Sequence, residues 1–158
     1  MQRRPLIALF CGLGLARASA HAASTPLRAD RLELSEAEWR RRLSPAQFAV
    51  LRNAGTEPAG TSALNAESRR GLYRCAGCEL ALFSSEMKYD SGTGWPSFFT
   101  TLPEVLGTKT DYKLLLPRTE YHCARCGGHQ GHVFGDGPRP SRKRYCNNGI
   151  ALRFEPAA

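Results

Sequence analysis

The chain has 158 residues, 42% of them hydrophobic, which suits one domain with a modest core and excludes a multi-domain assembly. Lys and Arg number 22 against 14 Asp and Glu, a formal net charge of +8. An excess of that size bears on solubility and acidic partners, and it reads as a solvated basic face in preference to a nucleic-acid groove.

Residues 1–22 differ in kind from the rest. Gln2, Arg3 and Arg4 form a positive start, Leu6 to Ala16 is an apolar run too short to span a bilayer, and Ala18-Ser19-Ala20 is a small-x-small cleavage site. The segment is expected to be a secretory signal, with an uncleaved anchor as the alternative. Arg3-Arg4 also permits twin-arginine export, although Pro5 makes that match poor. Residues 23–34 read as a linker, with order expected from Ser35 and a folded domain over 35–156. The expected location is outside the cytoplasm, in the bacterial periplasm, with no membrane attachment after processing.

Two capping boxes follow. Ser35 with Glu38 opens a short helix carrying Trp39 and Leu43. Ser44 with Gln47 opens a second, with Pro45 at its first position, Phe48 and Leu51 on one face, and Gly55 placed to stop it. Arg40, Arg41 and Arg42 are expected to be solvated. Thr56 to Arg70 is a connecting loop rich in turn residues. From Gly71 the period shortens. Leu72–Arg74, Leu80–Phe83, Tyr112–Leu116, Thr119–His122, His132–Phe134, Arg144–Asn147 and Ala151–Phe154 are short runs bounded by turn residues, predicting a mainly β fold of antiparallel sheets behind two short helices.

Four of the six cysteines form two Cys-x-x-Cys knuckles, Cys75 with Cys78 and Cys123 with Cys126. Each knuckle presents two thiolates to one ion, and a pair completes a closed tetrahedral zinc site. In an oxidising compartment the same thiols also satisfy two disulfides, and a site of three cysteines and one histidine, drawing on His122 or His129, is a further alternative. Zinc on Cys75, Cys78, Cys123 and Cys126 fits the paired spacing best. Cys11 lies within the signal and is lost on cleavage.

Cys146 has no partner in that scheme. Arg144, two residues earlier, favours the thiolate, the form that attacks. His129 and His132 lie in a glycine-rich stretch after the second knuckle, and histidine is the side chain best suited to pass protons near neutrality. Trp95 is held between Gly94 and Pro96, flanks that can present an indole at a surface as readily as in a core.

These pieces, in this order around the knuckles, resemble the methionine-R-sulfoxide reductases of the B type. The resemblance runs from about Trp39, through Leu43-Ser44-Pro45, Gln47-Phe48 and Gly55-Thr56-Glu57, to Leu152-Arg153-Phe154; its most specific parts are Gly94–Phe98, His129-x-x-His132-Val133-Phe134 and Arg144-Tyr145-Cys146-x-Asn148. It implies a pair of small antiparallel sheets of tent-like form with a four-cysteine zinc site. It implies Cys146 as nucleophile, Trp95 against the substrate methyl group, His129, His132 and Asn148 orienting and protonating the sulfoxide oxygen, and Arg144 and Asp136 tuning the thiolate. The substrates implied are proteins or peptides bearing methionine-R-sulfoxide, and free methionine sulfoxide. Many members carry a resolving cysteine where this chain has Thr93, so a thioredoxin-like protein or a small thiol is the expected reductant. A monomer that binds no nucleic acid is expected. Two competing readings are a basic zinc-ribbon-like binding module without catalysis and a thiol peroxidase using Cys146.

Overall fold

A computed structural model describes residues 30–158, so the signal segment, Cys11 and residues 23–29 of the linker lie outside the described residues. Among the described residues, nine strands follow two helices. The helices are α1 (Glu36–Arg42) and α2 (Pro45–Leu51). The strands are β1 (Gly71–Cys75), β2 (Ala81–Ser84), β3 (Lys88–Tyr89), β4 (Ser97–Phe98), β5 (Leu106–Asp111), β6 (Arg118–Cys123), β7 (His129–Phe134), β8 (Arg144–Asn147) and β9 (Leu152–Pro156). They form two antiparallel sheets, β2-β1-β9 and β3-β4-β8-β7-β6-β5.

Both expected capping boxes are present, with Ser35 and Ser44 each accepting from the backbone three residues on. Trp39, Leu43, Phe48, Val50 and Leu51 are buried, whereas Arg40, Arg41 and Arg42 are exposed. Helix α2 ends differently from the expectation. The left-handed residue is Ala54 at φ 50°, and Gly55 is required for space, because a Cβ there would lie 2.9 Å from the Ala49 carbonyl oxygen.

Order also begins earlier than Ser35. Within the stretch read as linker, the Leu32 amide donates to the Arg125 carbonyl at 2.8 Å, Asp30 pairs with Arg125, and Leu32 and Leu34 pack on the core. The chain is thereby stitched to the second knuckle.

The core lies between the sheets. Phe83 stacks on Phe98 with centroids 4.0 Å apart, and Tyr73, Tyr121 and Tyr145 meet them at steeper angles. Such pairs add about 0.5–1.5 kcal/mol each beyond their burial, which helps a domain of this size. Because strand side chains alternate, Tyr121 and Tyr145 commit one face of the larger sheet to the core and leave the other for polar residues.

One predicted strand is displaced. Tyr112–Leu116 is a loop between β5 and β6, and the strand pairing with β6 is Leu106–Asp111. Thr108, Lys109 and Thr110 are all exposed, so this edge strand carries no hydrophobic alternation, while the apolar run after it faces solvent.

Candidate functional site

Cys146 sits in β8 opposite His132 of β7, and the next pairs along the same two strands are Tyr145 with Val133 and Arg144 with Phe134. Cys146, His132, Arg144 and Phe134 therefore share the face turned away from the core. Ser97 of β4 flanks Cys146 on the other side.

His129 would fall on the opposite face if β7 were regular, since residues three apart alternate. The register shifts between Tyr121 and His122, which pair with Gly131 and His129 and leave Gln130 as an extra residue. This bulge returns His129 to the face of His132, with ring centroids 5.5 Å apart.

Each histidine is held by a carboxylate that sequence reasoning passed over. His132 Nε2 lies 2.7 Å from Asp111 Oδ2, and His129 Nδ1 lies 2.9 Å from Glu120 Oε1. The Lys113 amide, His132 and Arg118 together hold the Asp111 carboxyl well below the usual range. An ionised carboxylate only accepts, so Nε2 of His132 carries a hydrogen and Nδ1 is the nitrogen left to exchange a proton. Burial lowers the pKa of His129 against the pull of Glu120, and its Nε2 is buried with no hydrogen-bond partner. Burial pushes the Glu120 carboxyl up, but His129 and Lys109 outweigh it and the net shift is downward.

Arg144 makes two bonds of 2.9 Å to the Asp136 carboxylate and lies 4.4 Å over the Phe134 ring. Its charge favours the Cys146 thiolate, as expected, and so does Thr93. Burial wins nonetheless. The Cys146 thiol titrates above its ordinary value, which corrects the expectation of a lowered pKa.

A cavity of about 110 Å³ opens over this face, lined by Trp95, Arg118, His132, Phe134, Cys146 and Asn148, among others. Trp95 is half-buried, and its indole N–H donates to the Glu57 carbonyl at 3.0 Å. The turn before it needs glycine twice: Gly92 and Gly94 have φ of 68° and 87°, and a Cβ on Gly94 would strike Ala59 and Gly60. Asn148 Oδ1 accepts from the Glu57 amide at 3.0 Å, and its Nδ2 donates to the Gln130 carbonyl at 3.0 Å. The Glu57 carboxylate in turn accepts from the amides of Gly149 and Ile150. Glu57 thus joins two residues of the cavity wall, Trp95 and Asn148.

Of the residues singled out from sequence, Cys146, His132, Asn148 and Trp95 line the cavity. His129 and Arg144 stand against the wall residues His132 and Phe134, and Asp136 holds Arg144. Asp111, Glu120, Arg118 and Glu57 are additions. Arg118 donates to Asp111 Oδ2 at 2.7 Å while its Nε is buried without a partner. The signal for Arg118 and Glu120 is the Arg-Thr-Glu run of β6, whose alternation places both on the face of the histidines.

The four knuckle cysteines come together at the other end of β1 and β6. All are buried, none is disulfide-bonded, and their sulfurs lie within 4.8 Å of one another. The Cys75–Cys126 and Cys78–Cys123 sulfur distances are 3.7 and 3.5 Å. That is far beyond a disulfide bond of about 2.05 Å, and near the ~3.8 Å edge of a tetrahedron of thiolates about 2.3 Å from a zinc ion. Neither His122 nor His129 belongs to the cluster. A buried polar path leads from it toward Cys146: Gln130 Nε2 lies 3.4 Å from Cys75 Sγ, and Gln130 Oε1 accepts from Asn147, the residue after Cys146.

Comparison with known proteins agrees with this geometry. Residues 43–156 match the model of the SelR domain. A peptide methionine sulfoxide reductase MsrB of Leifsonia xyli is 52% identical over 124 residues, covering 77% of this chain and 89% of that protein. An MsrB of Leptospira interrogans is 47% identical, covering 77% of this chain and 93% of its own length. The chloroplastic reductase B1 of Arabidopsis thaliana is also 47% identical, over 77% of this chain and 60% of that protein. Spacing of the knuckles, a histidine opposite a single cysteine, and similarity along most of the sequence converge: the chain belongs to the SelR-domain family, that of the MsrB methionine sulfoxide reductases.

Proposed function

We propose that this protein reduces methionine-R-sulfoxide to methionine with Cys146 as nucleophile, and that an external thiol restores it. The observation that carries the reading is the pairing of Cys146 with His132 across two strands, beneath a cavity walled by Trp95.

A sulfoxide sulfur carries partial positive charge, and its oxygen leaves only as it gains a proton. The Cys146 thiolate attacks that sulfur while His132, oriented by Asp111, supplies a proton to the oxygen. His129 and Asn148 keep the wall in place, and Arg118 offers an unused N–H to developing negative charge. Trp95 receives the methyl group, since sulfur–aromatic contacts contribute about 0.3–1.5 kcal/mol. The protonated oxygen then passes to Cys146 as the substrate S–O bond and the newly formed bond between the two sulfurs break, the methionine sulfur keeps the electron pair and departs as the thioether, and Cys146 is left as a sulfenic acid. Two equivalents of thiol then return Cys146 to the thiol and release water and a disulfide. Thr93 occupies the place of a resolving thiol and the other four described cysteines are buried in the cluster, so the donor is a thioredoxin-like protein or a small thiol.

Zinc on Cys75, Cys78, Cys123 and Cys126 would tie the two sheets together and takes no part in the reaction. The protein acts as a monomer, and residues 1–22 direct it out of the cytoplasm before cleavage. The test is a steady-state assay with separated R and S diastereomers of N-acetyl-methionine sulfoxide. Turnover of the R form alone, abolished in Cys146→Ser, is expected; turnover of hydrogen peroxide in place of the sulfoxide would identify a peroxidase.

A further inference from the structure

Every exposed large hydrophobic side chain among the described residues belongs to one loop. Tyr112, Leu114, Leu115 and Leu116 are 76%, 58%, 104% and 77% exposed, all within the six residues that join β5 to β6. Scattered apolar side chains on a surface need no explanation, but four on one loop mark a surface that meets another molecule.

The loop is anchored to the site at both ends. Asp111, immediately before it, holds His132, and Arg118, immediately after it, lines the cavity and bonds Asp111. Lys113 within it donates through Nζ to the carbonyl of Ala54 at 3.1 Å, beside Thr56, which also lines the cavity. The loop that carries the apolar tip therefore begins and ends beside the cavity. At about 110 Å³ that cavity admits the end of one side chain, so the residues flanking a methionine sulfoxide in a polypeptide must lie outside it, along the rim.

We propose that the loop 112–116 is the docking surface for apolar segments of substrate polypeptide on either side of the oxidised methionine. This rests on the reading of Cys146 as a sulfoxide reductase. Methionine is among the residues most often buried, so a site oxidised after local unfolding comes with exposed apolar surface that such a loop retains.

The test compares three substrates with dithiothreitol as reductant: N-acetyl-methionine-R-sulfoxide, and two peptides with the R-sulfoxide flanked by leucines or by serines. The protein should prefer the leucine peptide in kcat/KM, by on the order of tenfold for two partly covered leucines. The double variant Leu115→Ser with Leu116→Ser should lose that preference through KM and keep turnover of the small substrate within about twofold, since nothing in the reaction calls on either residue. The single variant Leu115→Ala, with an unchanged thermal transition, should lose part of it. An equal rate for both peptides in the unmodified protein, or a preference the double variant keeps, overturns the proposal. So does a defect seen only with a thioredoxin-like protein as reductant, or a dimer in sedimentation that the double variant dissolves, since these assign the loop to other partners. Failure to turn over the small R-sulfoxide would instead refute the underlying reductase reading.

Discussion

Cys146 and His132 are register partners on adjacent antiparallel strands, and Asp111 bonds His132 from the ring nitrogen Nε2 at 2.7 Å. Thiol, imidazole and carboxylate thus come from three strands of one sheet. His132→Ala should lower kcat by about 10²–10⁴, the usual worth of a positioned acid or base, with little change in the thermal transition. Asp111→Asn should cost less and alter the pH profile, because the amide no longer fixes which nitrogen is protonated. Kinetics across pH for both variants check this.

Burial keeps Cys146 titrating above its ordinary value, and Arg144 works against burial. Attack requires the thiolate, so reactivity rises with pH and is incomplete at neutrality in the free protein. The rate of Cys146 alkylation by iodoacetamide should climb through a midpoint above the ~8.5 of a free cysteine, and Arg144→Gln should move it higher still. A midpoint below the ~8.5 of the free thiol would show that the cation outweighs burial.

Glu57 was invisible as a site residue in the sequence, because its role is to join segments far apart in the chain. Glu57→Ala removes two acceptors and leaves the Gly149 and Ile150 amides unpaired, at about 1–3 kcal/mol each. It should also raise KM by loosening the segment on which Trp95 rests, while Glu57→Gln restores part of both. Thermal unfolding reads the first effect, and KM with Trp95 fluorescence reads the second.

Much else was legible. Capping boxes located both helices, and Cys-x-x-Cys spacing located the four-thiol cluster, since both signals depend on contacts a few residues long. What escaped depends on pairing between strands. The bulge at Gln130 brings His129 beside His132, and only the partner strand reveals it. The Tyr112–Leu116 run read as a strand because its apolar character suggests burial, yet its side chains face solvent. Strands β3 and β4, two residues each, are too short to carry a period.

Removing the metal expected at the cluster should undo the fold. Structural zinc contributes roughly 10–16 kcal/mol in small zinc domains, against a net stability of about 5–15 kcal/mol for a whole domain. Chelation, or Cys123→Ser, should therefore abolish the cooperative thermal transition. Activity should fall with it, as the path from Cys75 through Gln130 and Asn147 would lose its anchor. Calorimetry with metal analysis checks both.

Thr93 hydrogen-bonds Ser91 at 2.8 Å and favours the Cys146 thiolate. Thr93→Cys should place a second thiol within reach of the sulfenic acid, giving one internal disulfide after a turnover without reductant, visible by mass spectrometry as the loss of two free thiols.

The unmodified protein, given one equivalent of methionine-R-sulfoxide and no reductant, tests the account most directly. Mass spectrometry should find one methionine released per chain and one oxygen atom gained on Cys146, trapped by a sulfenic-acid reagent, with no new disulfide. Methionine release with Cys146 unchanged, or a bond between Cys146 and any of Cys75, Cys78, Cys123 or Cys126, would contradict it.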